Sequence, residues 1–118
     1  MSPKVLVVDD DPQANHLLKL LFELDGFEVL LCPRGEKAPA VAAAEKPDVL
    51  LMDVHIGGAD GLQILRQMRQ DPALSQLPVV MYSGMDLEYE CKAAGANAFV
   101  LKPYQQDELT AALKKVMA

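Results

Sequence analysis

Cysteine is scarce in this chain: Cys32 and Cys91 are the only two among 118 residues, and His16 and His55 are the only histidines. Two thiols are too few for a disulfide framework, and neither they nor the histidines show the spacing of a zinc cluster, so small, partly buried thiols in a reducing compartment are expected. Long hydrophobic runs are missing too, although 51% of the residues are apolar; none approaches the roughly 20 residues that span a bilayer. The opening Met1-Ser2-Pro3-Lys4 enters an apolar run of four residues and then acids, which is not the pattern of a secretory signal. A cytoplasmic protein without a membrane partner is the expectation. Basic charge is in short supply, with 11 Lys and Arg against 17 Asp and Glu and a net charge of −6. That argues against nucleic-acid binding by this domain, which rests on clustered cations that release counterions. Linkers, low-complexity tracts and long repeats are absent, so the expectation is one domain over residues 1–118.

What the chain does have is a series of short apolar runs, each ending in a polar residue. Val5-Leu6-Val7-Val8 leads into Asp9-Asp10-Asp11, Val49-Leu50-Leu51-Met52 into Asp53, Val79-Val80-Met81-Tyr82 into Ser83, and Phe99-Val100-Leu101 into Lys102-Pro103. Between these runs lie segments of helical period, the pattern of repeated βα units and a parallel sheet. Asp11 reads as an N-cap and Pro12 as the first residue of a helix whose inner face carries Ala14, Leu17, Leu18, Leu21 and Phe22, with Gly26 as its stop. The second strand is expected at Phe27–Leu31 and the second helix at Ala38–Glu45. The third strand, Asp48–Asp53, is apolar on both faces, as a central strand covered by helices would be. A loop at Val54–Asp60 precedes a helix marked by Leu62, Leu65 and Met68. A short helix near Leu87–Ala94, a strand at Ala98–Leu101 and a last helix with Leu109, Ala112, Leu113, Val116 and Met117 on one stripe complete the chain.

Right-handed crossovers make this an open, doubly wound α/β sheet, which binds ligands beyond the carboxyl ends of its strands. Asp9, Asp10, Asp53, Ser83 and Lys102 all fall at those ends. Gathered carboxylates repel one another unless a cation intervenes, and an all-oxygen donor set suits Mg²⁺. Asp10 and Asp53 are expected as direct ligands, with Asp9 acting through water. Asp53 is also the candidate nucleophile for a phosphoryl group, Lys102 the cation that neutralises its oxygens and Ser83 a hydroxyl donor to them. Pro103 biases Lys102 toward extended backbone and permits a cis bond.

These residues resemble the receiver domains of two-component response regulators. The likeness rests on Asp9-Asp10, Lys46-Pro47-Asp48 leading to Leu51-Met52-Asp53, Asp60-Gly61, Ser83-Gly84, Ala94-Gly95-Ala96 and Lys102-Pro103. The resemblance implies a flavodoxin-like fold with five parallel strands in the order 2-1-3-4-5 and five helices on both faces. It implies Asp53 as phosphoacceptor, Mg²⁺ on Asp10, Asp53 and the carbonyl of His55, and a sensor histidine kinase or phosphotransfer protein as donor. A downstream effector would read the change, and the domain would be a monomer or weak homodimer. The resemblance also implies a switch in which Ser83 moves toward the phosphoryl group and Phe99 turns inward; a permanently buried core aromatic is the competing role for Phe99.

The chain departs from the resemblance in two places. Gly57-Gly58 stands where the family often has proline, which predicts a more mobile loop, and the interval from Ser83 to Lys102 is short enough to remove most of a turn from the fourth helix. Two other readings stay open: an interaction scaffold that keeps the site without cycling, and a phosphohydrolase with an aspartate nucleophile. Against the second, His55 occupies the position where such enzymes commonly carry a second acid. The expected protein is therefore a signalling module that catalyses its own phosphorylation and dephosphorylation, not a conventional enzyme.

Overall fold

Five apolar runs form β1 (Lys4–Val8), β2 (Glu28–Cys32), β3 (Val49–Asp53), β4 (Val79–Ser83) and β5 (Ala98–Leu101). In the computed structural model, which describes residues 2–118, they make one parallel sheet in the order β2-β1-β3-β4-β5, as expected. Met1, the first residue of the expected domain, lies outside the described residues. The crossovers carry α1 (Pro12–Leu24), α2 (Ala38–Glu45), α3 (Gly61–Gln70), α4 (Glu88–Ala94) and α5 (Gln106–Met117). Among the described residues no helix is long and apolar enough to cross a membrane.

Strand alternation divides the core into two layers. Leu6, Val8, Leu50, Met52, Val79 and Met81 face α2, α3 and α4, while Val5, Val7, Val49, Leu51, Val80 and Tyr82 face α1 and α5. β3 lies between β1 and β4 and is buried along its whole length, so its position beneath both layers accounts for its continuous apolar run. Both cysteines are buried free thiols.

Three boundaries or faces differ from expectation. β2 starts one residue later than Phe27, because the Phe27 N–H donates to the Phe22 carbonyl in the turn after α1 and its ring packs on Phe22 with centroids 5.6 Å apart. β3 begins at Val49, since Asp48 serves as an anchor: its carboxylate accepts from the Lys4 N–H at 2.7 Å. On α1, Leu17 is 54% exposed, and the buried residues are Asn15, Leu18 and Phe22. Asn15 is drawn inward because its side-chain amide donates to the Asp9 carbonyl at 2.7 Å.

The expected loop after β3 contains a small antiparallel ribbon, His55–Ile56 against Ala59–Asp60, turned by Gly57-Gly58. Gly57 has φ +59°, the left-handed conformation a tight two-residue turn requires. The glycine pair forms the turn of that ribbon. The fourth helix is short, as expected, at seven residues.

Candidate functional site

Strand parity sets which side chains share the carboxyl edge of the sheet. Asp9 continues the side of Val5 and Val7, Asp53 that of Val49 and Leu51, and Lys102 that of Ala98 and Val100, so all three align with the α1/α5 layer at the carboxyl edge. Tyr82, in register with Asp53 on the neighbouring strand, belongs to the same layer. Ser83 and Phe99 have the opposite parity, toward α4.

Lys102 Nζ lies 2.7 Å from Asp53 Oδ2 and 4.2 Å from the centroid of the Tyr82 ring. Asp53 Oδ1 accepts from the His55 N–H at 2.9 Å. Both oxygens of the phosphoacceptor candidate are thus held, one by a cation and one by backbone. The Lys102-Pro103 bond is cis, and the Lys102 N–H donates to the Ser83 carbonyl at 2.8 Å, tying the ends of β4 and β5 together.

Asp9 does not join its neighbours in a three-carboxylate cluster. It is buried, its Oδ1 accepts from the Asp11 N–H at 3.0 Å, and its Oδ2 accepts from the Tyr82 hydroxyl. Among the described residues no three His, Cys, Asp or Glu side chains gather closely enough to hold a metal. Asp9 has a protein partner at each carboxylate oxygen, and Asp10 is the exposed acid of the pair.

The donors still fit Mg²⁺, which is commonly held by one or two carboxylates with several waters retained. Asp10 Oδ2 faces Gly57 so closely that a Cβ there would lie 3.3 Å from it, so the absent side chain leaves space above the carboxylate. Asp10 and Asp53 supply the acidic oxygens. His55 has an exposed side chain, and its N–H is the group bonded to Asp53.

Ser83 is buried, and its Oγ accepts from the Met85 N–H at 3.1 Å, which leaves the hydroxyl proton available to an incoming oxygen. Phe99 is half-buried against the α2/α3/α4 layer and lines a groove with Lys92, Ala112 and Val116, so it is not a fully enclosed core aromatic. Gly61 fixes the backbone beneath the site: a Cβ there would lie 2.5 Å from the Asp53 carbonyl oxygen. Its N–H donates to the Val54 carbonyl at 2.7 Å.

Tyr82 is the residue that sequence reasoning passed over. Burial raises its phenol pKa well above the usual value, and the Asp9 hydrogen bond adds to the effect. Tyr104 packs beside it, with ring centroids 6.1 Å apart, and its pKa is also raised, first by burial and then by Asp9. The available signal was a residue with a polar tip, ending an apolar run, at the parity that faces the acids.

The sequence profile of the response regulator receiver domain matches residues 5–114. The chain is 34% identical over 118 residues to protein PilH of Pseudomonas aeruginosa, covering 98% of each. It spans about half the length of several other relatives it matches. Its structure superposes with a TM-score of 0.93 on a putative response regulator from Chloroflexus aurantiacus, at 31% identity over 99% of this chain and 98% of that one. At 24% identity it shares its fold, with a TM-score of 0.89 over 99% of this chain and 98% of the other, with the receiver domain of the P. aeruginosa sensor histidine kinase PA1611, solved with magnesium in its active-site cleft.

Proposed function

The chain belongs to the response regulator receiver domain family, and from that premise we propose that it accepts a phosphoryl group on Asp53 from a phosphohistidine donor in a Mg²⁺-dependent reaction. The observation that carries this reading is Lys102 Nζ at 2.7 Å from Asp53 Oδ2, at the carboxyl edge of a parallel sheet. A lone carboxylate is a weak nucleophile toward a phosphoryl group that is itself negative; a cation fixed beside it lowers that barrier.

In the transfer, a carboxylate oxygen of Asp53 forms the new bond to phosphorus while the donor's P–N bond breaks, and the electron pair leaves with the imidazole. Lys102 turns from the carboxylate to an equatorial phosphoryl oxygen, and Ser83 donates its hydroxyl proton to another. Mg²⁺, held by Asp10, Asp53 and waters, with the His55 carbonyl as a third protein ligand, would neutralise charge on the transferring group. Water attack on the acyl phosphate returns Asp53 and inorganic phosphate.

The phosphoryl group adds about −1.5 to −2 charge, and Ser83, whose parity is toward α4, carries that change to the face bearing α4, β5 and α5. Met85, in the connection before α4, Tyr89 on α4 and Leu101 on β5 stand exposed there, where an effector would read the switch. The donor is a sensor histidine kinase or phosphotransfer protein.

The test pairs two measurements. Asp53→Asn should abolish Mg²⁺-dependent labelling by a phosphodonor such as acetyl phosphate, and beryllium fluoride should shift amide resonances at Asp53, Ser83 and Lys102 that spread to Phe99 and α4. Undiminished labelling of Asp53→Asn refutes the phosphoacceptor; fluoride shifts confined to the site refute the switch.

A further inference from the structure

Tyr82 is the site residue that the phosphoryl transfer leaves without a role. It lies on β4, separated from β1 by the whole width of β3, yet its hydroxyl donates to Asp9 Oδ2 across the end of β3. Its ring meanwhile lies under the Lys102 ammonium at 4.2 Å. Both ends of the side chain are therefore engaged with charged groups on either side of Asp53.

The Asp9 end matters because Asp9 is 2% exposed. A carboxylate so enclosed needs a donor for each oxygen; here the Asp11 N–H serves one and the phenol the other. An apolar residue at position 82 would leave Oδ2 facing hydrocarbon and Asp9 able to rotate. The Lys102 end matters because a flexible ammonium seated on an aromatic face spends more of its time in one place. Tyr104, packed beside Tyr82, limits movement of the ring.

We propose that Tyr82 is a positioning residue of this site: its hydroxyl fixes the Asp9 carboxylate beside Asp10, and its ring holds the Lys102 ammonium against Asp53. The proposal rests on the Mg²⁺-dependent reading above. Outer-sphere partners that orient a ligand set commonly account for about 10- to 100-fold in metal affinity. Asp9 is expected to act through water, so the lower end of that range applies.

The experiment is a Mg²⁺ titration of the ¹⁵N-labelled protein, followed through the Asp10 amide, for wild type, Tyr82→Phe, Asp9→Asn and the double variant. Tyr82→Phe keeps the ring and loses the hydroxyl; its Mg²⁺ affinity should fall about tenfold. In the Asp9→Asn background the same change should cost nothing further, a non-additivity that a general loss of stability does not produce. Tyr82→Leu, which also removes the seat of Lys102, should slow labelling at saturating Mg²⁺ more than Tyr82→Phe does. Unchanged or tighter Mg²⁺ binding by Tyr82→Phe, or a loss that persists undiminished without the Asp9 carboxylate, overturns the proposal while leaving the phosphoacceptor reading in place. A wild-type protein with no Mg²⁺ response overturns that reading and this proposal together. Should Tyr82→Phe fail to fold, the ¹³Cζ resonance of Tyr82 in wild type takes its place: it must move with the same midpoint as the Asp10 amide, and a stationary resonance overturns the proposal.

Discussion

Gly61 offers a substitution whose expected sign is opposite to the one helix propensity predicts. It is the first residue of α3, and replacing glycine by alanine in a helix ordinarily stabilises by about 1 kcal/mol. Here the added Cβ would meet the Asp53 carbonyl oxygen at 2.5 Å, the Val54 carbonyl oxygen at 2.9 Å and the Val54 Cα at 3.1 Å. All three are backbone atoms, so no side chain can rotate away. A carbon and a carbonyl oxygen sit comfortably at about 3.3–3.6 Å, so the helix start and the Asp53 backbone must part by on the order of 1 Å.

Overpacking of this kind costs about 1–3 kcal/mol, which outweighs the propensity gain. The larger effect is on function, because the displaced backbone carries Asp53 itself, and a misplacement of about 1 Å at a reacting group can cost on the order of 100-fold in rate. Gly61→Ala should therefore lower the urea midpoint while slowing Mg²⁺-dependent phosphorylation by about 100-fold under conditions where the variant remains folded. Gly58→Ala is the control, since a Cβ there meets nothing within 4 Å. A Gly61→Ala protein that phosphorylates at the wild-type rate, or is more stable than wild type, refutes the reasoning.

Arg69 ties α3 to the start of β5, its Nε donating to the Gly95 carbonyl at 3.0 Å, Nη1 to the Leu74 carbonyl at 2.8 Å and Nη2 to Asn97 Oδ1 at 3.2 Å. Arg69→Ala should lose about 1–3 kcal/mol in urea unfolding at an unchanged slope, and Arg69→Lys should not restore it because a point ammonium cannot replace the fork; full stability in either variant would count against the clasp. Burial pushes the Cys91 thiol up to about 11 from its ordinary 9.0, with Glu90 adding to the shift. The folded chain keeps a proton that the unfolded chain releases across this interval, so stability is complete below pH 9.0 and falls as pH rises to about 11. The raised Tyr82 phenol acts in the same direction at higher pH. A urea midpoint that stays level or climbs across that range would contradict the assignment.

The parts of the fold legible in the sequence are those governed by one period at a time. Asp48–Asp53 reads as a central strand because it is apolar between its two acids, one residue longer than the strand that forms, and Ala38–Glu45 and Ala98–Leu101 fall where the breakers around them require. Phe27 was misread because its β-propensity carries no trace of the hydrogen bond that holds its N–H in the turn after α1. Leu17 is expected on the inner face of α1 where Asn15 stands, because an amide on a helix counts as polar, while the burial of Asn15 depends on the Asp9 carbonyl that only the folded chain brings within reach. Asp53, Ser83 and Lys102 were legible as strand ends. Tyr82 was not, since its partner Asp9 lies 73 positions away and two strands across, and an aromatic inside an apolar run looks like core.

That pairing has a consequence for how a phosphoryl group would be felt. Tyr82 and Ser83 are adjacent on β4 yet face opposite layers, Tyr82 toward α1 and α5 with the acids and Ser83 toward α4. Asp9 already has both oxygens satisfied, so under the proposed phosphorylation the new charge on Asp53 would draw on Lys102, Ser83 and the metal. A pull on Ser83 would pass to Met85, whose N–H bonds to Ser83 Oγ, and thence along Gly84–Leu87 to the start of α4. The other end of α4 is held by Arg69 at Gly95, whose φ of +114° ends the helix. A seven-residue helix pinned at one end and drawn at the other pivots more readily than it translates. Beryllium fluoride shifts should accordingly be largest at Met85–Leu87 and fade toward Gly95; a uniform displacement of α4 through Gly95 would mean that the clasp yields before the helix turns.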